Sequence, residues 1–272
     1  MGVKKIWSLI CYGCCCALLL VGCKSASRPV QQIVEKDIKG NWVCSEALSQ
    51  VAQTKSIKRL KNFPPYTEFI FAHDSSRLLV ALNGQVDMIT LSYSYLYGED
   101  ALQVFDLDGN EEAYIKIVND STLLLSDKFS TETWSYVRVP SASVAFARNV
   151  DVPEVFPVLL NQALIAGDYT VQNVDEPYSV VLRSNGYIAH SPDFTSYSLC
   201  YNGSCNTYSN EDLIYLSNEQ NGDYYGWQMQ DSTLTIYSLL SVSMPDEITE
   251  YKLDKPILVM KKNMRDAAAK TE

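Results

Sequence analysis

From about Asp37 onward, short β-favouring runs alternate with turn-forming clusters, and that rhythm constrains this chain's fold more than any other feature. The runs are Phe69-Ile70-Phe71, Leu78 to Leu82, Val86 to Tyr97, Leu102 to Phe105, Tyr114 to Val118, Leu123 to Leu125 and Trp134 to Val139. Between them lie Asn83-Gly84, Gly98-Glu99-Asp100, Asp108-Gly109-Asn110 and Asn119-Asp120-Ser121, residues that start tight turns. Strands this short and this closely connected predict an antiparallel meander that closes as a barrel or sandwich. Glu46 to Leu60 breaks the pattern. Leu48, Val51 and Ala52 fall at helical spacing, so a short helix is expected after the first strand.

The second half repeats the scheme. Lys39-Gly40-Asn41-Trp42-Val43 is echoed by Ala166-Gly167-Asp168-Tyr169-Thr170, and residues 113–125 align without gaps on 224–236. Tyr114 falls on Tyr225, and the Asp-Ser-Thr-Leu blocks at 120–123 and 231–234 coincide. Each half then ends in one more strand, Tyr136 to Val139 and Tyr251-Lys252-Leu253. Pro153 and Pro157 interrupt the stretch between the halves, and Val158 to Ile165 reads as a short connecting helix.

With 32 acidic against 22 basic residues in 272, the net charge is −10, and such a surface repels phosphate backbones. No nucleic-acid partner is expected. Two histidines exclude a His-rich metal site, and no cofactor or metal is expected.

Residues 1–22 carry Lys4 and Lys5 and then an uncharged apolar stretch, Ile6 to Gly22. At about 1.5 Å per residue that helix spans roughly 26 Å, short of the hydrocarbon core, so a cleaved leader fits better than a permanent span. It ends Leu20-Val21-Gly22-Cys23, which resembles the lipobox of bacterial lipoproteins. The resemblance implies cleavage before Cys23, a diacylglycerol thioether on its sulfur and an acylated amine, anchoring the chain to a membrane. Lys24, where that family's retention signal is aspartate, implies the outer membrane of a bacterial cell envelope. Residues 23–36 are then the lipidated cysteine and tether.

A Gly-x-Trp opening (Gly40, Trp42), a run of short amphipathic strands and a closing Tyr-x-Arg strand (Tyr136, Arg138) resemble the small lipocalin-like domains of bacterial lipoproteins. The resemblance implies an eight-stranded barrel over 37–140 and, with Tyr169 in the tryptophan's place, a second over 163–262. The expected fold is therefore all-β: two tandem antiparallel barrels joined by a short helical linker at 141–162, with a tail at 263–272.

Candidate sites are few. Cys200 and Cys205 flank Asn202-Gly203, the preferred centre of a two-residue hairpin turn, in which the cysteines face each other within disulfide reach. A structural disulfide is expected there, with free thiols or a redox pair as the alternatives. Cys44 shares a strand face with Trp42 and reads as a buried thiol. Leu91, Tyr93, Tyr95 and Tyr97 share one strand face, offering an aromatic ligand surface inside a barrel, a sugar-stacking surface outside it, or ordinary packing. Asp106 to Glu112 reads as a solvated turn rather than a calcium loop, lacking the distant bidentate glutamate. Ser121, Thr122, Ser232 and Thr233 sit in Asp-Ser-Thr triplets that resemble an O-glycosylation sequon of Gram-negative anaerobes. His73 and His190 stand apart from any nucleophile motif, so no enzyme is expected. Two functions follow: a lipoprotein binding a small apolar or glycan ligand in a barrel, or an interaction component of an envelope assembly with filled barrels. Cavity volume discriminates between them.

Overall fold

Alternation of buried and exposed residues along each strand fixes which face turns inward, and here it closes two sheets on themselves. The structure is a computed structural model that describes residues 38–60, 62–71, 76–82, 88–96, 98–128, 132–140, 155–201, 209–243 and 249–263. The first barrel runs β1 (Gly40–Cys44), β2 (Tyr66–Phe71), β3 (Arg77–Leu82), β4 (Met88–Tyr95), β5 (Ala101–Phe105), β6 (Glu111–Asn119), β7 (Thr122–Asp127) and β8 (Thr133–Arg138). Every strand pairs antiparallel with the next, and β8 returns to β1 with Trp42 opposite Arg138 and Cys44 opposite Tyr136. Cross-strand neighbours share a face, so Trp42, Phe69, Val80, Leu102, Ile115, Leu125 and Tyr136 all point inward and are buried.

The second barrel repeats the meander with β9 (Gly167–Val171), β10 (Tyr178–Leu182), β11 (Ile188–Ala189), β12 (Ser196–Leu199), β13 (Leu213–Ser217), β14 (Gly222–Gln230), β15 (Thr233–Ser243) and β16 (Thr249–Lys262). Its last strand pairs with its first through Met260–Val171 and Lys262–Tyr169. The short β11 and β12 are joined by the Tyr187–Ser196 bridge, with Ile188 N donating to Thr195 O (2.8 Å) and Tyr197 N to Gly186 O (2.7 Å). The chain is thus all-β with two eight-stranded antiparallel barrels; its turn spacing predicts an antiparallel meander closing as a barrel or sandwich, and the strand count is what the lipocalin-like resemblance implies.

Two helices interrupt the strands. α1 (Ser45–Thr54) follows β1 directly and stops at Lys55, whose left-handed backbone (φ 52°) lets its N–H bond Val51 O. α2 (Val155–Leu164) precedes β9; Pro157 sits in its first turn, where no intrahelical donor is lost. It lies against α1 and the outer face of β1 and β2, which explains why the outward residues Val43 and Glu68 are fully buried.

The gapless internal alignment holds at the Asp-Ser-Thr-Leu blocks: both open the seventh strand of their barrel, and Leu123 and Leu234 are fully buried. Upstream it slips by one residue. β6 carries a bulge between Ile117 and Asn119, so Ile115 faces Leu125, whereas in β14 it is Trp227, not Gly226, that faces the matching Ile236. A one-residue slip reverses side-chain facing. Tyr225 therefore packs against the core while Tyr114 points outward to Glu99, and their coincidence in sequence is not structural. Tyr251-Lys252-Leu253 does belong to the last strand, but barrel closure is made further along, at Met260 to Lys262.

Candidate functional site

The best-matched local structure in the two barrels is the seam between first and last strand. In the first, Trp42 is fully buried, its Nε1 donates to Ile38 O (2.8 Å), and the Arg138 guanidinium lies 5.1 Å from the ring centre. In the second, buried Tyr169 donates its hydroxyl to Ile165 O (2.7 Å), and Lys262 Nζ lies 5.7 Å from that ring. Each aromatic thus bonds the carbonyl four residues upstream and carries a cation over its face. The cation's own backbone N–H completes the match: Arg138 N donates to Ser121 O and Lys262 N to Ser232 O, tying the seam to the equivalent turn. Gly167 makes room for the arm of Lys262, since a Cβ there would stand 2.5 Å from Cε. Burial lowers the Lys262 pKa, and the nearby Lys55 lowers it further against the opposing pull of Asp168.

The tyrosine face of β4 turns into the first barrel. Phe69 meets Tyr136 at 4.6 Å between ring centres, Phe71 meets Phe69 at 5.5 Å and Tyr93 at 5.1 Å, and Tyr95 follows Tyr93 at 6.2 Å. This ladder runs from the fully buried Tyr136, whose hydroxyl donates to Tyr66 O, to the half-buried Tyr95. Rings in edge contact fill space that a ligand would occupy. Tyr97 lies outside the described residues. In the second barrel the apolar space among Val180, Leu182, Ile188, Phe194, Leu216 and Met260 is about 20 Å³, roughly the room one water needs.

Cys44 lies inside the first barrel, fully buried, and burial pushes its thiol up to about 12. It is therefore protonated and enclosed at neutral pH. Iodoacetamide at pH 8 is expected to leave Cys44 unlabelled in the folded protein and to alkylate it once urea is added. Peptide mass mapping reads the site, and native labelling of Cys44 would show that the first barrel opens.

Cys200 is buried just past β12, and its N–H donates to Leu213 O (2.9 Å). Its run therefore pairs with β13, with Leu199 opposite Ile214. Asn202, Gly203 and Cys205 lie outside the described residues. Cys23 and His73 also lie outside them. His190 is exposed in a left-handed conformation (φ 65°) after β11. Among the described residues no three His, Cys, Asp or Glu side chains converge as a metal site. The Asp106 carboxylate is taken up by its own turn, accepting from Asp108 N, Asn110 N and Asn110 Nδ2, and these bonds hold its pKa low. Ser121 is exposed, while Thr122, Ser232 and Thr233 are half-buried; Ser121 and Ser232 lie in the turns, and Thr122 and Thr233 open β7 and β15. The Ser121 hydroxyl donates to Asn119 Oδ1 (2.9 Å).

The residues that join the barrels carried no local signal. Asp212 Oδ1 accepts from Ile57 N (2.8 Å) and Lys58 N (2.9 Å), linking the start of β13 to the turn after α1. Glu68 accepts from Asn41 Nδ2 (3.3 Å) and from Phe156 N (2.7 Å), fastening the first turn of α2 to β2. The other end of α2 is held by cations from both sides, Lys55 Nζ to Ala163 O (3.5 Å) and Lys262 Nζ to Ala166 O (2.8 Å), where the helix dipole favours positive charge. Beside these contacts lies a cleft of about 510 Å³ lined by Lys55, Lys58, Arg59, Asp212, Trp227 and Met229 among others. Its walls are mixed in charge and half open to solvent. The chain matches no family model, and no curated protein or solved structure is similar enough to serve as a relative.

Proposed function

We propose that the chain is a non-enzymatic, lipid-anchored interaction component of a bacterial cell envelope, built from two lipocalin-like barrels whose interiors are filled. The observation that carries this reading is the packing. The Tyr136–Phe69–Phe71–Tyr93–Tyr95 ladder occupies the first barrel, and the second keeps about 20 Å³, far below the roughly 300–1,000 Å³ of ordinary small-molecule sites. Among the described residues, this packing leaves less room than a small apolar or glycan ligand held in a barrel needs. The Leu20-Val21-Gly22-Cys23 motif supports the anchor and attachment through Cys23, and Lys24 in place of aspartate supports an outer-membrane address. Pairing of Cys200 with Cys205 and modification of Ser121, Thr122, Ser232 or Thr233 belong to the same reading of an exported chain.

The test is native mass spectrometry of the full protein purified in detergent from its host's envelope, against a denatured control. The expected spectrum shows no mass that is lost on denaturation. It shows a persistent lipid mass mapping to Cys23, and a loss of about two hydrogens that reduction restores. A reproducible small-molecule mass released by denaturation would overturn the filled-barrel reading in favour of a carrier.

A further inference from the structure

The outer wall of the second barrel differs in chemistry from that of the first. Ile188, Tyr197, Leu216 and Trp227 point inward and are buried, so the residues alternating with them on β11 to β14 point outward. Strand register lines these up across the wall. Tyr187 bridges to Ser196, Ser196 opposes Ser217, and Ser217 opposes Gly222. The neighbouring rung is Ser198, Tyr215 and Tyr224. Tyr187 is 50% exposed and Tyr224 is 45% exposed. Gly222 lets the Tyr215 ring lie down along the wall, because a Cβ there would stand 2.2 Å from Tyr215 Oη. Tyr224 meets that ring at its edge, with 5.2 Å between centres and 60° between planes. Between the tyrosines the Ser196 and Ser217 hydroxyls share one hydrogen bond (2.6 Å), which leaves one O–H and further lone pairs for another partner. Strands lie about 4.8 Å apart, so the floor from β11 to β14 is roughly 14 Å wide.

These outward positions hold three tyrosines, three serines and one glycine, with no charge among them. Arg183 beside Tyr187, Asp223 beside Tyr224 and Glu219 in the turn before β14 stand only at the margins. The equivalent strands of the first barrel, β3 to β6, place Arg77, Glu112 and Lys116 outward, the residues a solvated wall ordinarily carries. Exposed tyrosine is instead the mark of recognition surfaces, where it offers a large rigid contact at little entropic cost. The remaining composition points to sugar rather than protein. Protein-binding patches favour Met, Phe and Arg beside tyrosine and are depleted in serine. A pyranose presents an apolar face of C–H bonds, which packs on a tyrosine ring, and a rim of hydroxyls, which bond serine hydroxyls. The net charge of −10 repels acidic sugars.

We propose that this wall, with Tyr187, Tyr215 and Tyr224 around the Ser196–Ser217 floor, binds a neutral oligosaccharide. The site takes from the interaction reading only that binding is on the outside of the barrels.

The experiment applies the full chain in detergent to an array of neutral, uronate-bearing and sialylated oligosaccharides, and then titrates the strongest neutral member by calorimetry. Binding is expected to neutral members and not to acidic ones. Tyr187→Ala and Tyr224→Ala are each expected to weaken it by roughly tenfold, whereas Tyr224→Phe keeps the ring and stays within about threefold. Tyr114→Ala, at an outward tyrosine of the first barrel, is expected to change nothing, and far-UV circular dichroism checks that every variant is folded. Absence of binding to every neutral oligosaccharide overturns the proposal, as does unchanged affinity in Tyr187→Ala and Tyr224→Ala together. Loss of a co-purifying polypeptide from that double variant, without any glycan binding by the unaltered chain, assigns the wall to a protein partner and also overturns it. The two readings fail separately, since a ligand mass that the double variant still releases on denaturation overturns the filled barrels alone.

Discussion

Trp42→Ala is expected to destabilise the first barrel by about 3–5 kcal/mol, the range for truncating a large aromatic in a packed core. Trp42 is fully buried, bonds Ile38 O and lies under the Arg138 guanidinium on the strand that closes the sheet. The substitution therefore opens a cavity and loosens the closing seam together. With a denaturant slope of about 1–3 kcal/mol per molar in urea, the midpoint should fall by roughly 1 M or more. Far-UV circular dichroism reads this without relying on the tryptophan removed. Tyr169→Phe in the equivalent seam loses only the hydroxyl bond to Ile165 O, for which about 1 kcal/mol is expected. Equal midpoints for Trp42→Ala and the unaltered chain would mean that this ring does not hold the barrel shut.

Glu68→Ala should cost about 3 kcal/mol, because it strands two buried donors rather than merely deleting a contact. Its carboxylate is fully buried and accepts from Asn41 Nδ2 and Phe156 N. Without it the first turn of α2 loses its acceptor, and burial shields the freed donors from bulk solvent. Amide hydrogen exchange should show the loss concentrated in Val155 to Leu164, with the strands of the second barrel retaining their protection. Glu68→Gln keeps one carbonyl acceptor and is expected to recover about half of the stability. Undiminished protection of α2 in Glu68→Ala would show that the helix is held by its apolar face alone.

The strands were legible because their signal is local. Each turn cluster and each alternating run is contained within a few residues, and the helix after β1 appeared as a stretch with a different period. The duplication was legible at the Asp-Ser-Thr-Leu turns, where the two copies have the same length. It failed one turn of chain earlier, because a bulge in β6 adds a residue that no propensity marks. The residues that bind the barrels to each other were invisible for a different reason. Glu68 meets Phe156 across 88 positions and Asp212 meets Ile57 across 155, and nothing in the neighbourhood of either acid distinguishes it from a solvated one. Period two puts Leu91, Tyr93 and Tyr95 on one side of β4, but which side faces the core depends on partners in β3 and β5.

The seam geometry also decides how each barrel meets mechanical load. Gly40 enters β1 at the same end at which Arg138 leaves β8, and Gly167 enters β9 where Lys262 leaves β16. A pull between the two ends of either barrel therefore runs across the closing ladder rather than along it. The rungs are loaded in succession, each breaking before the next bears force, so the barrel peels like a zip instead of resisting in shear. For a chain pulled from its two ends, the weakest direction of both barrels then coincides with the line of its own backbone.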